Sequence, residues 1–413
     1  MNTMGASLLN QLMLLISGSL SARLLGPADR GHAALIALVP SILGIAGSFG
    51  LVSAVVYFVA QRPEATVSVL GLMKRELALQ LLLLLGLHVA ITILWLAPSL
   101  HGSDRVAAFV ALGAVPATYF SQYGSAVLQG HQQFLGFTSI VVAPQVLYGI
   151  GVVALFVIGN GSLSLVVLAN VLASVLTGLL ALVLARRTVR SNRQELTTHS
   201  KRDIMVFARK SYFGQVAPIE AFRLDQVAVG AAFTPTVLGY YSVATAFTNL
   251  SRFLGSSMGW VLEPYIASLP AHQQRRSLIR GLALTLGLCG AVTLVLLPST
   301  SFLVPALFGD AFRPAIPLAR VLLVAGFLLG LRRAVLPGLQ GIGQPAIGSY
   351  SELIALIVFA ALLPLALTNS TGMGVAVVFL VSAIVALTSI AVLFRLRVGV
   401  STPAEEPESY KVP

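Results

Sequence analysis

The sequence predicts an all-α polytopic membrane protein of about twelve transmembrane helices arranged as two pseudo-symmetric six-helix bundles. Three observations support this prediction: an apolar composition, apolar runs of membrane-spanning length, and an approximate repeat of the first half in the second. Of the 413 residues, 57% are hydrophobic and only 10% are charged, whereas soluble domains contain about 25% charged residues. The mean hydropathy is +0.90, so most of the chain is expected to lie in lipid.

Apolar segments recur along the whole chain, separated by short turns rich in Gly, Pro, Asn and Asp. A helix needs about 20 apolar residues to cross a bilayer. The first run, at residues 5–20, has no basic segment before it and is not expected to be a cleaved signal peptide. The predicted spans are 5–22, 33–58, 77–97, 106–128, 137–158, 163–184, 211–233, 240–262, 279–298, 317–338, 347–367 and 373–394.

These spans divide the chain into four parts. We expect an N-terminal six-helix bundle at 1–184, a cytoplasmic connector at 185–210 and a C-terminal six-helix bundle at 211–394. The remaining residues, 395–413, end in the polar and Pro-containing sequence STPAEEPESYKVP and are expected to be a disordered cytoplasmic tail.

The distribution of Lys and Arg orients the chain. With the N-terminus inside, nineteen of the 26 Lys and Arg residues fall on inside loops and the tail, and five fall on outside loops and adjoining helix ends. The two others, Arg223 and Arg252, lie within spans. This excess favours a cytoplasmic location of both termini. It also accounts for the formal net charge of +12, so no nucleic-acid partner is expected.

Few residues could hold a metal or a cofactor. The chain has one cysteine, Cys289, so neither a disulfide nor a cysteine metal site can form within it. Its six histidines have no second ligand at helical spacing. No Gly-rich phosphate loop and no nucleophile–base set is present in the sequence. We therefore expect no cofactor.

The two halves resemble each other in short motifs. The tripeptide Leu-Gln-Gly occurs at Leu128 and again at Leu339, an offset of 211 residues, and the Leu-Gly pairs that end at Gly26 and Gly239 give an offset of 213. Six helices per repeat is an even number, which predicts parallel repeats with a binding site between the halves. Alignment on the Leu-Gly pairs places Arg223 opposite Asn10, so the polar step Asn10–Gln11 is expected at the same depth.

The predicted span 211–233 carries ionisable groups near its middle. An arginine at a helix centre costs roughly 2.5–3.5 kcal/mol on insertion scales, which implies polar partners. At 100° per residue, Glu220, Arg223 and Gln226 share one face, and Glu220 can pair with Arg223. Asp225 is about 160° away from Arg223 on a regular helix and needs a partner on another helix.

Arg252 on the following span is expected at the same depth, flanked by Asn249 and Ser256 at helical spacing. We therefore predict that the first, seventh and eighth spans line a polar, cationic cavity. The candidate substrate-binding residues are Arg223, Arg252, Asn10, Gln11, Asn249 and Gln226. Glu220 or Asp225 would position an arginine or exchange a proton. The alternative is that these buried pairs only lock helices together.

Other charged residues are expected at the membrane surfaces. Arg332 and Arg333 end the tenth span and should extend to the inner surface, and Glu352 should lie at the interface. Arg23 and Arg30 flank the first outside turn, where a local salt bridge is expected and guidance of a head group is the alternative.

Two segments resemble a known family. The sequence ARLLGPADRGHAALIALVPSILGIAGSFGLVSAVVYFVA resembles the start of bacterial Wzx-type polysaccharide flippases, and FRLDQVAVGAAFTPTVLGYYSVATAF resembles their seventh and eighth helices. These flippases belong to the multidrug/oligosaccharidyl-lipid/polysaccharide (MOP) exporter superfamily, which includes the MATE transporters. The resemblance implies an inner-membrane protein that flips undecaprenyl-diphosphate-linked oligosaccharide by alternating access around a cationic cavity. A polysaccharide polymerase and glycosyltransferases would be its partners.

Two other functions compete with this interpretation. A drug or cation antiporter of the same superfamily would bind cations, which a cavity with two arginines would repel. A membrane glycan polymerase or ligase would need a sizeable outside loop with catalytic groups, whereas the longest predicted outside loop, STSFLVPALFGDAFRPAI, has one Asp, one Arg and no His. We therefore expect a transporter and not an enzyme.

Overall fold

The computed structural model describes residues 3–100, 102, 104–191, 200–215, 218–342, 344–368 and 371–398. Within these ranges the chain forms helices and no strand. The helices of the first half are α1 (Thr3–Ala46), α2 (Leu51–Gln61), α3 (Thr66–Leu72), α4 (Lys74–Ile91), α5 (Ala97–Ser99), α6 (Asp104–Val110), α7 (Ala114–Gly130), α8 (Phe134–Ile158) and α9 (Leu163–Ser191). A π-helical turn, Thr92–Leu96, joins α4 to α5.

The second half is equally helical. Its helices are α10 (Lys201–Gln215), α11 (Pro218–Ala221), α12 (Leu224–Ala232), α13 (Pro235–Ala246), α14 (Thr248–Ala267), α15 (Ala271–Phe308), α16 (Ala315–Gly341), α17 (Pro345–Ala366) and α18 (Met373–Val398). The predicted connector is helical at both ends, since α9 runs to Ser191 and α10 begins at Lys201. The predicted tail lies outside the described residues from 399 onward.

Eight helices of the described residues are long and apolar enough to cross a membrane. They include the segments predicted at 77–97, 137–158, 163–184 and the last four spans. The first predicted span lies on α1, and the second, 33–58, is divided between α1 and α2. The spans predicted at 106–128, 211–233 and 240–262 also lie on broken helices. Large apolar side chains cover the outside of the protein, with Leu82 65% and Phe302 72% exposed. This surface suits a multi-pass membrane protein, because lipid solvates apolar side chains.

The long helix α1 is two helices that meet at Gly26. This glycine has φ 70° and ψ 179°, a conformation that costs an L-residue much more than glycine. Pro27 then starts the second segment, where its fixed φ and missing N–H are tolerated. The kink separates the first predicted span from the second.

The two halves touch at the end that carries the predicted outside loops, through a reciprocal glycine contact. A Cβ on Gly31 would lie 2.5 Å from the carbonyl carbon of Pro235, and a Cβ on Gly239 would lie 2.9 Å from the carbonyl carbon of Pro27. Each glycine therefore lets the other half's backbone approach closely, as small residues do where membrane helices cross. We call this the glycine crossing.

The glycine crossing also corrects the register of the repeat. Gly31 matches Gly239 and Pro27 matches Pro235, so both pairs are separated by 208 residues instead of the 213 given by the Leu-Gly pairs. On this register Arg223 corresponds to Leu15 and not to Asn10. The sequence alignment was wrong here because Gly26 lies at a kink, whereas Gly239 lies one turn inside a helix.

Two further contacts connect the halves. At the end of the glycine crossing, the Arg23 guanidinium donates to the carbonyl oxygens of Ala306 and Leu307, the latter at 2.8 Å. These carbonyls belong to the last turn of α15, where a cation also complements the helix dipole. At the opposite end, α10 packs against the first half: Phe207 stacks on Tyr57 with ring centroids 4.2 Å apart.

Candidate functional site

The helix predicted at 211–233 is broken at its charged residues. Its C-terminal part consists of the one-turn helix α11 and the nine-residue helix α12, separated by Phe222 and Arg223. Arg223 has φ 46° and ψ 49°, the left-handed conformation, which costs a non-glycine residue of the order of 1–3 kcal/mol. The prediction that Glu220 and Arg223 share a helix face and pair is therefore wrong. It assumes one regular helix through both residues, whereas α11 ends at Ala221 and Arg223 has left-handed backbone angles.

A central cavity of about 450 Å³ lies beside this break. It is bounded by α1, α7, α8 and α9 of the first half and by α12, α13 and α14 of the second, with Phe308 of α15. The cavity lies beside the predicted first, seventh and eighth spans and extends to α7, α8 and α9 as well. Its polar side chains are Ser17, Arg30, Ser41, Thr118, Gln145, Tyr148, Asn170, Ser174, Arg223, Gln226, Ser242, Thr245 and Asn249.

The charge of this cavity is positive. Arg30 and Arg223 line it, and no Asp or Glu occurs among the described residues of its wall. Neither arginine forms an ion pair within the described part of the chain. Arg223 is exposed to the cavity. An anion entering from water would therefore meet two guanidinium groups that have no ion-pair partner among the described residues, and guanidinium groups bind phosphate oxygens in bidentate fashion.

Arg30 lies in the cavity wall and not at the outside turn, where the sequence predicts it. Its Nη1 donates to Ser21 Oγ at 3.2 Å, and its Nε is buried without a hydrogen-bond partner among the described residues. A signal was present in the sequence: Arg30, Ala37 and Ser41 recur at helical spacing. They form the small and polar face of the second segment of α1, which faces the cavity.

The predicted candidates near the break fall into different environments. Gln226 lines the cavity and donates to Thr245 Oγ1 at 3.3 Å, and Asn249 lines the cavity as well. Asp225 does have its partner on another helix, because the Tyr241 hydroxyl of α13 donates to Asp225 Oδ2 at 3.0 Å. Asp225 is buried and is not part of the cavity wall.

Asn10 and Gln11 are half-buried and do not line the cavity. The first helix instead contributes Ser17, whose hydroxyl accepts a 2.7 Å hydrogen bond from Gln145 of α8. The polar residue that α1 contributes to the cavity, Ser17, therefore lies about two turns after Asn10. The corrected register of the repeat shifts the expected position in the same direction, from Asn10 to Leu15.

A second charged group, the arginine–glutamate cluster, lies in the second half. Its members are Glu220, Arg252, Arg332, Arg333 and Glu352. Glu220 accepts from Arg252 at 3.0 Å, from Arg332 at 2.8 Å and from Arg333 at 2.6 Å. One carboxylate on the one-turn helix α11 thus connects to α14 and α16.

The cluster corrects three expectations. Arg252 is bound to Glu220 and does not line the cavity. Arg332 is 4% exposed and does not reach the surface. Glu352 is also buried, with a carboxylate oxygen 3.1 Å from Arg332. These residues point inward because a charge in the membrane is stabilised by an opposite charge on a neighbouring helix. Glu220 is 32 to 113 residues away from its arginine partners, so local spacing does not reveal the pairs.

Known proteins resemble this chain in sequence and in fold. The model of a family described as polysaccharide biosynthesis protein matches residues 20–317. The chain belongs to the polysaccharide biosynthesis protein family. The match agrees with the polysaccharide-biosynthesis resemblance that the sequence carries. No sequence among the curated proteins matches the chain.

Solved structures share the fold of this family member at low sequence identity. The lipid II flippase MurJ in an inward closed conformation aligns with TM-score 0.78 and 14% identity over 96% of this chain and 87% of that one. An inward-facing multidrug resistance MATE family transporter aligns with TM-score 0.67 and 16% identity over 95% and 96%. An outward-facing structure of such a transporter aligns with TM-score 0.58 and 15% identity over 97% and 98%.

Proposed function

We propose that this family member is a flippase that moves undecaprenyl-diphosphate-linked oligosaccharide across the cytoplasmic membrane for export of a cell-surface polysaccharide. The observation that carries the proposal is the central cavity with Arg30 and Arg223 and no acid among the described residues of its wall. A diphosphate is the strongly anionic part of such a substrate. The cavity's hydroxyl and amide groups supply hydrogen bonds to sugars.

The backbone at the break strengthens the anion site. Arg223 precedes the first turn of α12, whose positive dipole end lies at the cavity with Gln226. Discontinuous membrane helices in transporters bind anionic groups with such half-helix N-termini. The left-handed conformation of Arg223 is thus explained as the geometry that brings its guanidinium and the helix end to one place.

The alternative of a drug or cation antiporter is less well supported. A cationic substrate would meet two arginines without a carboxylate in the described wall, and a field of one sign in a low-dielectric cleft repels ions of that sign. Of the two kinds of structure that share this fold, a lipid II flippase and multidrug transporters, the positive charge of this cavity favours the flippase's type of substrate, an anionic one.

The proposed transport cycle is alternating access between two halves. With both termini in the cytoplasm of a bacterial inner membrane, the glycine crossing closes the outer side and the described conformation faces inward. Similarity is greater to the inward-facing than to the outward-facing MATE structure, with TM-scores of 0.67 and 0.58. Glycosyltransferases would supply the substrate inside, and a polymerase would use it outside.

In this proposal the arginine–glutamate cluster has a positioning role. Glu220 is attached to three arginines and lies three residues before Arg223. It therefore fixes the break of the seventh span to α14 and α16, so that the two segments on either side of Arg223 move with the second half. Asp225, bound to Tyr241, fixes α12 to α13 in the same way.

The experiment that tests the proposal compares arginine variants in a strain that depends on this chain for surface polysaccharide. Arg223→Gln and Arg30→Gln should each lower glycan export at least about tenfold, since a charged hydrogen bond contributes about 1.5–3 kcal/mol. Arg223→Lys should restore part of the export. Arg313→Gln is the matched control, because Arg313 is 66% exposed and pairs with Asp310 on the surface.

Membrane levels of each variant would be measured alongside export. Normal export by Arg223→Gln and Arg30→Gln at wild-type membrane levels would contradict the anionic-substrate proposal. Efflux of a cationic drug that depends on the chain and improves in either variant would favour the antiporter instead.

A further inference from the structure

The first half contains two hydrophobic cores that follow one another along its helices. One includes Leu43 of α1 and Val115 of α7 and continues into the second half. The other includes Leu51 of α2, Tyr119 of α7 and Ile204 of α10, and its described members all come from the first half and α10. We call them the outer core and the inner core, after the predicted orientation of the chain.

The second span is broken where these two cores meet. The helix α1 ends at Ala46, and α2 begins at Leu51. Between them, Phe49 and Gly50 have φ 45° and 72°, in the left-handed region, which is a clear outlier for a bulky residue such as Phe49. Strained backbone of this kind persists only where the surrounding structure holds it. We call residues 47–50 the second-span hinge.

Hydrogen bonds from two other helices hold this hinge. In a continuous helix, the carbonyl oxygen of Gly47 would accept from the N–H of Leu51, but that N–H donates to Ser48 instead, at 2.9 Å. The side-chain amide of Gln80 on α4 donates to the Gly47 carbonyl oxygen. The Tyr123 hydroxyl of α7 donates in turn to Gln80 Oε1 at 2.7 Å. Gln80 and Tyr123 are buried, so their bonds replace those that water cannot supply inside a membrane.

The second half is built differently at the corresponding place. The register of 208 residues puts Gly255 opposite Gly47, and α14 continues as a helix through Gly255. A Cβ on Gly255 would lie 2.5 Å from the carbonyl carbon of Gly330, so α14 and α16 are in close contact there. Arg252, one turn earlier, belongs to the arginine–glutamate cluster, which connects α11, α14, α16 and α17. The second half is therefore braced by ion pairs where the first half is broken.

We propose that the first half bends at the second-span hinge during transport, whereas the second half moves as one body. Gln80 is the positioning residue that stabilises the broken form against a form in which α1 continues into α2. Hinges are a few residues that absorb large changes in φ and ψ, and the inner core with α10 swings as one unit about this one. The inference rests on the alternating access of the proposed function and not on the chemistry of the substrate.

The test measures two distances by pulsed electron spin resonance in the full-length protein with Cys289 replaced. Spin labels at Gln61, the end of α2, and at Val157 on α8 report on bending of the first half. Labels at Tyr265 on α14 and Phe302 on α15 report on the second half. All four labelled side chains are exposed, so the labels do not disturb either core.

Gln80→Leu keeps the size of the side chain and removes both of its hydrogen bonds. The Gly47 carbonyl oxygen then lacks its partner in the broken form only, because a continuous helix satisfies it through the backbone. The ratio of the second to the first Gln61–Val157 distance should therefore rise about fivefold or more. The Tyr265–Phe302 distance should not change, and this also shows that the variant is folded.

Two buried tyrosines on α7 give a matched pair of variants. Tyr123→Phe removes a single oxygen, and it should shift the first-half distance in the same direction as Gln80→Leu but less, since Gln80 keeps its bond to Gly47. Tyr119→Phe is the control, because the Tyr119 hydroxyl donates to the Leu77 carbonyl oxygen at 2.7 Å, away from the hinge. It should leave both distances unchanged. Tyr123→Phe also keeps the test decisive if Gln80→Leu does not reach the membrane.

The outcomes separate this inference from the proposed function. First-half distances in Tyr123→Phe and Gln80→Leu that coincide with those of Tyr119→Phe would overturn the hinge, and so would an equal change in both halves. If the hinge fails in this way while Arg223→Gln still lowers export, the proposed function stands. If the first-half distance responds as expected but export does not depend on Arg223, the hinge stands and the anionic substrate is wrong.

Discussion

The glycine crossing gives the sharpest quantitative prediction. In Gly31→Ala, the new Cβ would lie 2.5 Å from the carbonyl carbon of Pro235, whereas carbon atoms in contact are about 3.5–4.0 Å apart. The helices would have to separate by roughly 1 Å at this point. The obstacle is backbone, so no side chain can rotate away. We expect the substitution to weaken the closed outer contact between the halves.

The free-energy cost of Gly31→Ala is that of inserting a methyl group into a packed contact. Inserting a methyl group into a close contact costs typically about 1–3 kcal/mol, which corresponds to a roughly 5- to 150-fold change in the ratio of closed to separated states. Alanine also has a higher helix propensity than glycine, but the helix is formed in both states, so this gain cancels from the equilibrium. Gly239→Ala should act in the same direction through Pro27.

The assay is a distance measurement by pulsed electron spin resonance. Spin labels would be placed on cysteines at Ala28 and Thr234, which are exposed on the two sides of the crossing, in a protein with the buried Cys289 replaced. The population at long distance should rise in Gly31→Ala. A distance distribution that coincides with those of wild type and of Gly86→Ala would refute the reasoning, because Gly86 has open space around it.

Two further predictions concern stability. Glu220→Gln should destabilise the protein by about 3–5 kcal/mol, because it removes the negative charge that three arginines share. Thermal melting in detergent should show a smaller effect for Glu352→Gln, which loses one ion pair. At the opposite end of the fold, burial lowers the pKa of His131, whose Nε2 lies 2.9 Å from Thr66 Oγ1, against the opposing charge of Glu64. The folded state therefore resists protonation, so stability should fall as the pH drops below about 6.5, the usual histidine value. A melting temperature of His131→Gln that falls with acid as steeply as in wild type would contradict this.

The sequence located the important segment but not its contacts. Polarity in the middle of an apolar run identified residues 220–226 as a place where lipid could not be the only neighbour. Regular helix geometry then gave the wrong pairing, because the calculation assumed 100° per residue through Arg223, and this residue has a positive φ. A left-handed arginine is not readable from one sequence, since its energetic cost is offset by contacts from other helices.

The same limit explains Arg30 and Arg332. Their short distance in sequence to the predicted turns predicts that both lie at membrane surfaces. Arg30 lies in the cavity wall because α1 continues as a helix directly after the kink at Gly26. Arg332 is buried because it pairs with Glu220 of α11, which precedes it by 112 residues, and with Glu352 of the next helix, α17.

Taken by itself, the sequence determined that this chain is a helical membrane protein with a duplicated plan, and its resemblance pointed to the family that the comparison then showed. Those features depend on hydropathy and local spacing, which are properties of consecutive residues. Only the tertiary structure decided which arginines of the described residues lack an ion-pair partner, since that depends on how helices rotate and cross. The glycine crossing brings the halves together at one end, and the arginine–glutamate cluster pairs Arg252, Arg332 and Arg333 with carboxylates outside the cavity wall. What is left facing the cavity is Arg30 and Arg223.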